Sequence, residues 1–123
     1  MSDPEVALTG GCEWVVEAHG CDPSLLRDVA GLQTLFDQIV KDLGLHPVGE
    51  PSWHRFDGPG GVTGMSLLSE SHLTCHTFPE FGSMCLNLFC CRPRNEWPFE
   101  SKLMMLLRAR FVSVRRIERP YQS

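Results

Sequence analysis

The densest run of chemically able side chains in this 123-residue sequence is Ser69-Glu70-Ser71-His72, followed by Thr74-Cys75-His76 and Pro79-Glu80. A serine close to histidines suggests nucleophilic catalysis. Yet no Gly-x-Ser-x-Gly elbow is present, and these hydroxyls lie in β-rich sequence rather than at a strand-to-helix turn. His72 and His76 stand four apart, but the segment reads as a strand and lacks the intervening Glu of a helical zinc motif. The six cysteines, Cys12, Cys21, Cys75, Cys85, Cys90 and Cys91, contain no Cys-x-x-Cys pair. The neighbours Cys90 and Cys91 would point to opposite faces of a strand, a poor start for shared metal ligation. By residue type alone, the cluster leaves a hydrolase, a zinc site and polar side chains satisfied at a sheet end all open.

The elements that must position this cluster follow from pattern. Glu13–His19 is rich in β-formers and is stopped by Gly20, after a loose leader over residues 1–11. Asp22-Pro23 is a helix start, and Leu25, Val29, Leu32, Phe36, Ile39 and Leu43 form one apolar stripe that ends at Gly44. Gly31 is a place where this helix weakens or kinks. Pro47–Phe56 is extended, Asp57-Gly58-Pro59-Gly60-Gly61 is a turn, and Val62–Ser69, Ser71–Phe78 and Ser83–Cys91 read as strands. A second helix runs from about Pro98 to Leu107, and Val112–Glu118 closes the domain as a strand. Strands outnumber helices and join through short loops, which predicts one α+β domain: a two-layer sandwich, an antiparallel sheet with two helices on one face.

Composition narrows the function classes. Hydrophobic residues make up 42% and charged residues 21%, which excludes a disordered chain. A net charge of −4 argues against nucleic acid as partner, and no apolar run approaches the ~20 residues that span a bilayer. MSDPEVALTGG has neither the basic nor the apolar region of a secretory signal. A cytoplasmic, reducing compartment is therefore expected, with most of the cysteines acting as buried small hydrophobes.

The stretch GGVTGMSLLSESHLTCHTFPEFG resembles the processing-site region of the small prokaryotic S-adenosylmethionine decarboxylases. Their pattern is a Gly-Val-Ser/Thr-Gly turn, a hydrophobic strand, Glu-Ser-His, and then His-Thr-Trp-Pro-Glu-Tyr-Gly. The likeness extends through Glu17-Ala18-His19-Gly20-Cys21, His54-Arg55-Phe56 and Leu88-Phe89-Cys90-Cys91, from about residue 11 to residue 119. It implies a pyruvoyl enzyme made from its own backbone. Ser71 would attack the Glu70 carbonyl to give an ester, loss of its α-proton would expel the Glu70 carboxylate, and hydrolysis would leave a pyruvoyl group. The products would be chains of residues 1–70 and 71–123. His76 takes the position of the family's processing base, and Thr63 that of a hydroxyl that assists. The pyruvoyl carbonyl would form a Schiff base with the substrate amine and serve as electron sink, so neither pyridoxal phosphate nor a metal is called for. Cys91 matches the family's proton donor, Phe56 and Phe78 its adenine-stacking aromatics, and Glu80 its ribose-binding carboxylate. A homodimer of processed protomers, and decarboxylated S-adenosylmethionine for spermidine synthesis, are further implications.

Departures from the pattern keep alternatives open. Phe78 replaces the usual Trp, Asn87 a carboxylate, and Arg92-Pro93-Arg94 a Gly-rich acidic linker. Residues 92–119 carry eight bases, Lys102 and seven Arg, against three acids. This reads either as a solvated face or as a pocket rim altered for a carboxylate-bearing substrate. A pyruvoyl decarboxylase of ornithine or arginine, and an unprocessed binding homologue, remain as other readings.

Overall fold

The structure, a computed structural model, describes residues 9–122. The expected leader lies outside these residues as far as residue 8, and from Thr9 the chain is already strand. The elements are β1 (Thr9–His19), α1 (Pro23–Leu26), α2 (Val29–Leu43), β2 (Ser52–Arg55), β3 (Val62–Leu68), β4 (Ser71–Phe78), β5 (Ser83–Cys90), α3 (Phe99–Leu107) and β6 (Phe111–Gln122). The six strands form a single antiparallel sheet in the order β2-β3-β4-β5-β1-β6. Among the described residues no helix is long and apolar enough to cross a membrane.

Alternation along the strands assigns the two faces. Trp14, Val16, Leu73, Cys75, Leu86 and Leu88 are buried and register with one another across β1, β4 and β5. Both long helices pack on this face: Phe36 of α2 lies 4.7 Å from Trp53 of β2, and Phe99 of α3 lies 6.3 Å from Trp14. The two fully buried tryptophans keep their indole N–H groups satisfied, Trp14 donating to Glu96 at 3.0 Å and Trp97 to Asp42 at 2.9 Å. The other sheet face is open. Met65, Leu67, Phe111 and Ile117 project there, each more than two-fifths exposed.

Several boundaries differ from the sequence expectation: β6 runs on to Gln122 instead of ending at Glu118, and two others have a local cause. The single helix of Asp22–Leu43 is broken at Arg27-Asp28 into the one-turn α1 and the longer α2. Asp28 stands at the N-cap position of α2, its side chain making no capping hydrogen bond, and a β-carbon on Gly31 would lie 2.7 Å from its carboxylate, so the glycine makes room for that side chain. β1 begins earlier than Glu13 because Gly11 lies against β5. A β-carbon there would stand 1.9 Å from the Cys90 carbonyl oxygen, so only glycine allows the pairing.

Candidate active site

The register of β3 and β4 sets Thr63 beside His76 on the open face, with Thr63 Oγ1 and His76 Nδ1 2.8 Å apart. When the hydroxyl accepts from Nδ1–H, the Nε2 lone pair is left free, the form an imidazole needs to take a proton. Around this pair opens a cleft of about 210 Å³ lined by Phe56, Thr63, His76, Thr77, Phe78 and Glu80. Phe56 is placed by the loop after β2: its N–H donates to the Gly61 carbonyl at 2.8 Å, closing the turn between them. Pro79 ends β4 and opens a single 3-10 turn, Pro79–Phe81, which presents Glu80 beside Phe78 at the cleft. The buried Thr77 hydroxyl ties the floor together, donating to the Leu26 carbonyl at 2.7 Å and accepting from the Val62 N–H at 2.8 Å.

The structure thus brings together five of the eight residues singled out from sequence: Phe56, Thr63, His76, Phe78 and Glu80. The other three, Glu70, Ser71 and Cys91, gather at the opposite end of β4. Ser69 and Glu70 form the tight turn between β3 and β4, in which Leu68 registers with Ser71. The Glu70 carbonyl accepts from the Cys91 N–H at 2.8 Å, which polarises the bond Ser71 would attack. The Ser71 hydroxyl is buried and has no hydrogen-bond partner among the described residues. It faces the helices, in register with Cys90. Burial pushes the Cys90 thiol up to about 11 and the Cys75 thiol up to about 12, so both stay protonated near neutrality and are weak proton donors. Cys91 leaves the strand half-buried.

Sequence reasoning missed the residues that hold Glu70. The Leu45–Val48 segment runs beside the end of β3, with a Pro47–Leu68 bridge and the Ser69 N–H donating to the His46 carbonyl at 2.8 Å. The His46 N–H donates to Glu70 Oε1 at 3.2 Å, and its Nδ1 lies 3.2 Å from Oε2. Arg94 Nη2 stands 3.9 Å from the same oxygen. Desolvation acts to raise the Glu70 carboxyl, but the His46 hydrogen bonds outweigh it and hold the group below the usual carboxylate range. No periodicity links residues 46, 70 and 94; only tertiary packing joins them. Thr77 carried a weaker signal, as the inward residue between His76 and Phe78.

The basic segment does not build the cleft rim, since no residue of 92–119 lines that cleft. Three of its seven arginines pair elsewhere: Arg115 with Glu17 at 2.5 Å, Arg116 with Glu118 at 2.9 Å, and Arg119 with Glu13.

Comparison with known proteins gives a consistent answer. Residues 12–120 match the S-adenosylmethionine decarboxylase family. An S-adenosylmethionine decarboxylase proenzyme of Caldanaerobacter subterraneus subsp. tengcongensis is 33% identical over 106 residues, covering 85% of this chain and 84% of the relative. One from Thermococcus gammatolerans is 34% identical over 113 residues, covering 90% and 77%. The fold is shared with the crystal structure of the adenosylmethionine decarboxylase from Aquifex aeolicus, with a TM-score of 0.77 at 23% identity, covering 95% of this chain and 96% of that one. The match of nearly the whole length, and relatives a third identical across it, show that this chain belongs to the S-adenosylmethionine decarboxylase family.

Proposed function

We propose that this chain is a proenzyme that cuts itself between Glu70 and Ser71 and then decarboxylates S-adenosylmethionine, the activity its relatives are named for. The observation that carries this reading is the state of that peptide. A buried, unpartnered hydroxyl follows a carbonyl already held by a backbone N–H. A native chain retains an orphaned buried hydroxyl at a cost, and here it is the nucleophile the reaction requires. These residues fit a pyruvoyl group made from Ser71. That group supplies a conjugated carbonyl able to accept the electron pair left by departing CO2. Because the chain makes the group itself, the reading calls for neither a metal nor pyridoxal phosphate.

The remaining roles belong to the chain's own side chains. Phe56 and Phe78 offer flat faces to the adenine, and Glu80 accepts from the ribose hydroxyls. Cys91 returns a proton to the substrate carbon, which also favours a reducing, cytoplasmic setting. Of the departures that suggested ornithine or arginine, only Phe78 lines the cleft. Asn87 instead donates to Glu13 at 3.1 Å.

A homodimer is part of this reading. Ser71 and His76 lie on opposite sides of β4, so one protomer does not bring its own imidazole to its own serine. With the Ser71 side chain turned to the helices, a base acting on its backbone carbon comes from the open face. A twofold axis lying along that face and crossing the middle of β4 sets the partner's His76 over Ser71, and the reverse. The same contact covers exposed Met65, Leu67 and Ile117. The cleft of about 210 Å³ in one protomer is below the ~300 Å³ of ordinary ligand sites, as expected of half a site.

Intact mass spectrometry and CO2 release from carboxyl-labelled S-adenosylmethionine test the reading. Fragments of residues 1–70 and 71–123, with label released, are expected. An undivided chain that releases no label overturns it.

A further inference from the structure

Among the described residues two buried side-chain polar atoms lack a hydrogen-bond partner, Ser71 Oγ and Arg94 Nε. The first follows the scissile bond. The second belongs to a guanidinium beside the residue that precedes it. Arg94 spends Nη1 on the Leu43 carbonyl at 2.9 Å and holds Nη2 3.9 Å from Glu70 Oε2. Its Nε donor is unspent and itself shielded from solvent, although the rest of the side chain is about a quarter exposed along an open cleft with Asp42 and Arg116. Nothing in a purely structural role for Arg94 needs that donor left free.

We propose that Arg94, supported by His46, is the leaving-group residue of self-cleavage: its spare donors receive the carboxylate that the cut creates on Glu70. This rests on the self-cleavage reading and deepens it. In the first step Ser71 Oγ bonds to the Glu70 carbonyl carbon, the peptide C–N bond breaks, and the hydroxyl proton ends on the freed nitrogen. In the second a base removes the Ser71 α-proton and the Cβ–Oγ bond breaks. The electron pair of that bond stays on Oγ, now one oxygen of the Glu70 α-carboxylate, and residue 71 becomes dehydroalanine. Glu70 enters with one negative charge, on its side chain, and leaves with two. An arginine is permanently cationic and its fork binds carboxylate with two parallel donors. Placed here, it favours the second step, in which the charge appears, more than the first.

The experiment follows cleavage of freshly made precursor in wild type, Arg94→Gln and Arg94→Lys by denaturing gel and mass, with and without hydroxylamine, which cuts an ester but spares an amide. Gln keeps a donor for the Leu43 carbonyl without the charge, and Lys keeps the charge without the fork. Far-ultraviolet circular dichroism and the thermal midpoint establish that each variant is folded. Arg94→Gln should cleave about tenfold or more slowly, the loss expected of one charge-assisted hydrogen bond. It should accumulate a hydroxylamine-sensitive chain absent from wild type, and Arg94→Lys should recover much of the rate. Folded Arg94→Gln that cleaves at the wild-type rate, or that slows without any hydroxylamine-sensitive species, overturns the proposal. If Arg94→Gln does not fold, Arg94→Lys decides: slowed cleavage with a hydroxylamine-sensitive chain, from loss of the fork, supports the role, and cleavage at the wild-type rate or slowed without ester refutes it. A wild-type chain that never divides overturns the underlying self-cleavage reading, a separate result.

Discussion

If two protomers share each processing site, two variants that are separately dead should restore one another. Ser71 and His76 are five residues apart on the extended strand β4 and on opposite faces. At about 3.3 Å per residue their backbones stand ~17 Å apart, against the ~3 Å over which a base takes a proton. Within one chain, no rotamer closes that gap. Ser71→Ala lacks the nucleophile and should remain whole, whereas His76→Ala should stall at the ester. Co-expressed in equal amounts with different tags, the two chains form a mixed dimer in about half of all pairs if they associate at random. In that dimer the serine of the His76→Ala chain faces the histidine of the Ser71→Ala chain. About half of the His76→Ala chains should therefore be cut, and none of the Ser71→Ala chains. A denaturing gel read by tag, with intact mass on each band, gives the count. Failure of the mixture to cut, while wild type cuts under the same conditions, refutes the shared site. So does full-rate cleavage of His76→Ala alone.

Three further outcomes are expected. Cys91→Ser leaves the backbone N–H on the Glu70 carbonyl unchanged, so cleavage should persist while turnover falls about a hundredfold or more, as single-turnover CO2 release will show. Glu80→Gln keeps the shape of the cleft wall but removes the charge that accepts from the ribose; KM should rise about tenfold with little change in kcat, measured by steady-state CO2 release. The Glu70 carboxyl is held below its unfolded value by His46, so its contribution to stability is complete above about pH 4.3 and fades as pH falls through the lowered native value. In an uncut Ser71→Ala background, the urea midpoint should drop on Glu70→Gln substitution at pH 7, and the difference should vanish toward pH 2.

Much of this architecture was legible because short apolar runs are separated by turn residues. Ser71–Phe78 alternates more weakly in sequence, yet Pro79 ends it where the strand ends. The opposed orientation of Ser71 and His76 follows from the sequence as well, since an odd spacing of five along a strand puts them on opposite faces whatever surrounds them. What stayed hidden depends on contacts between distant segments. Asp28 and Gly31 mark a helix break only once the cap position and its neighbour are seen together. The excess of arginine after Cys91 fitted a solvated face or a pocket rim equally until Arg115, Arg116 and Arg119 were seen paired with Glu17, Glu118 and Glu13, which favours the solvated face. His46 and Arg94 belong to Glu70 through packing alone, so single-residue chemistry could not have assigned them.

The strand order has a consequence for what happens after maturation. Under the proposed cut, residues 1–70 contribute β1, β2 and β3, and residues 71–123 contribute β4, β5 and β6. In the sheet they are interleaved: β1, from the first fragment, lies between β5 and β6 of the second, and β3 lies against β4. The fragments therefore share three seams and do not part without tearing the sheet. Before the cut, recovery from unfolding is a unimolecular search by one chain; afterwards each protomer must reassemble from two, at a rate that depends on concentration. Maturation becomes a one-way commitment, after which persistence rests on a slow unfolding rate.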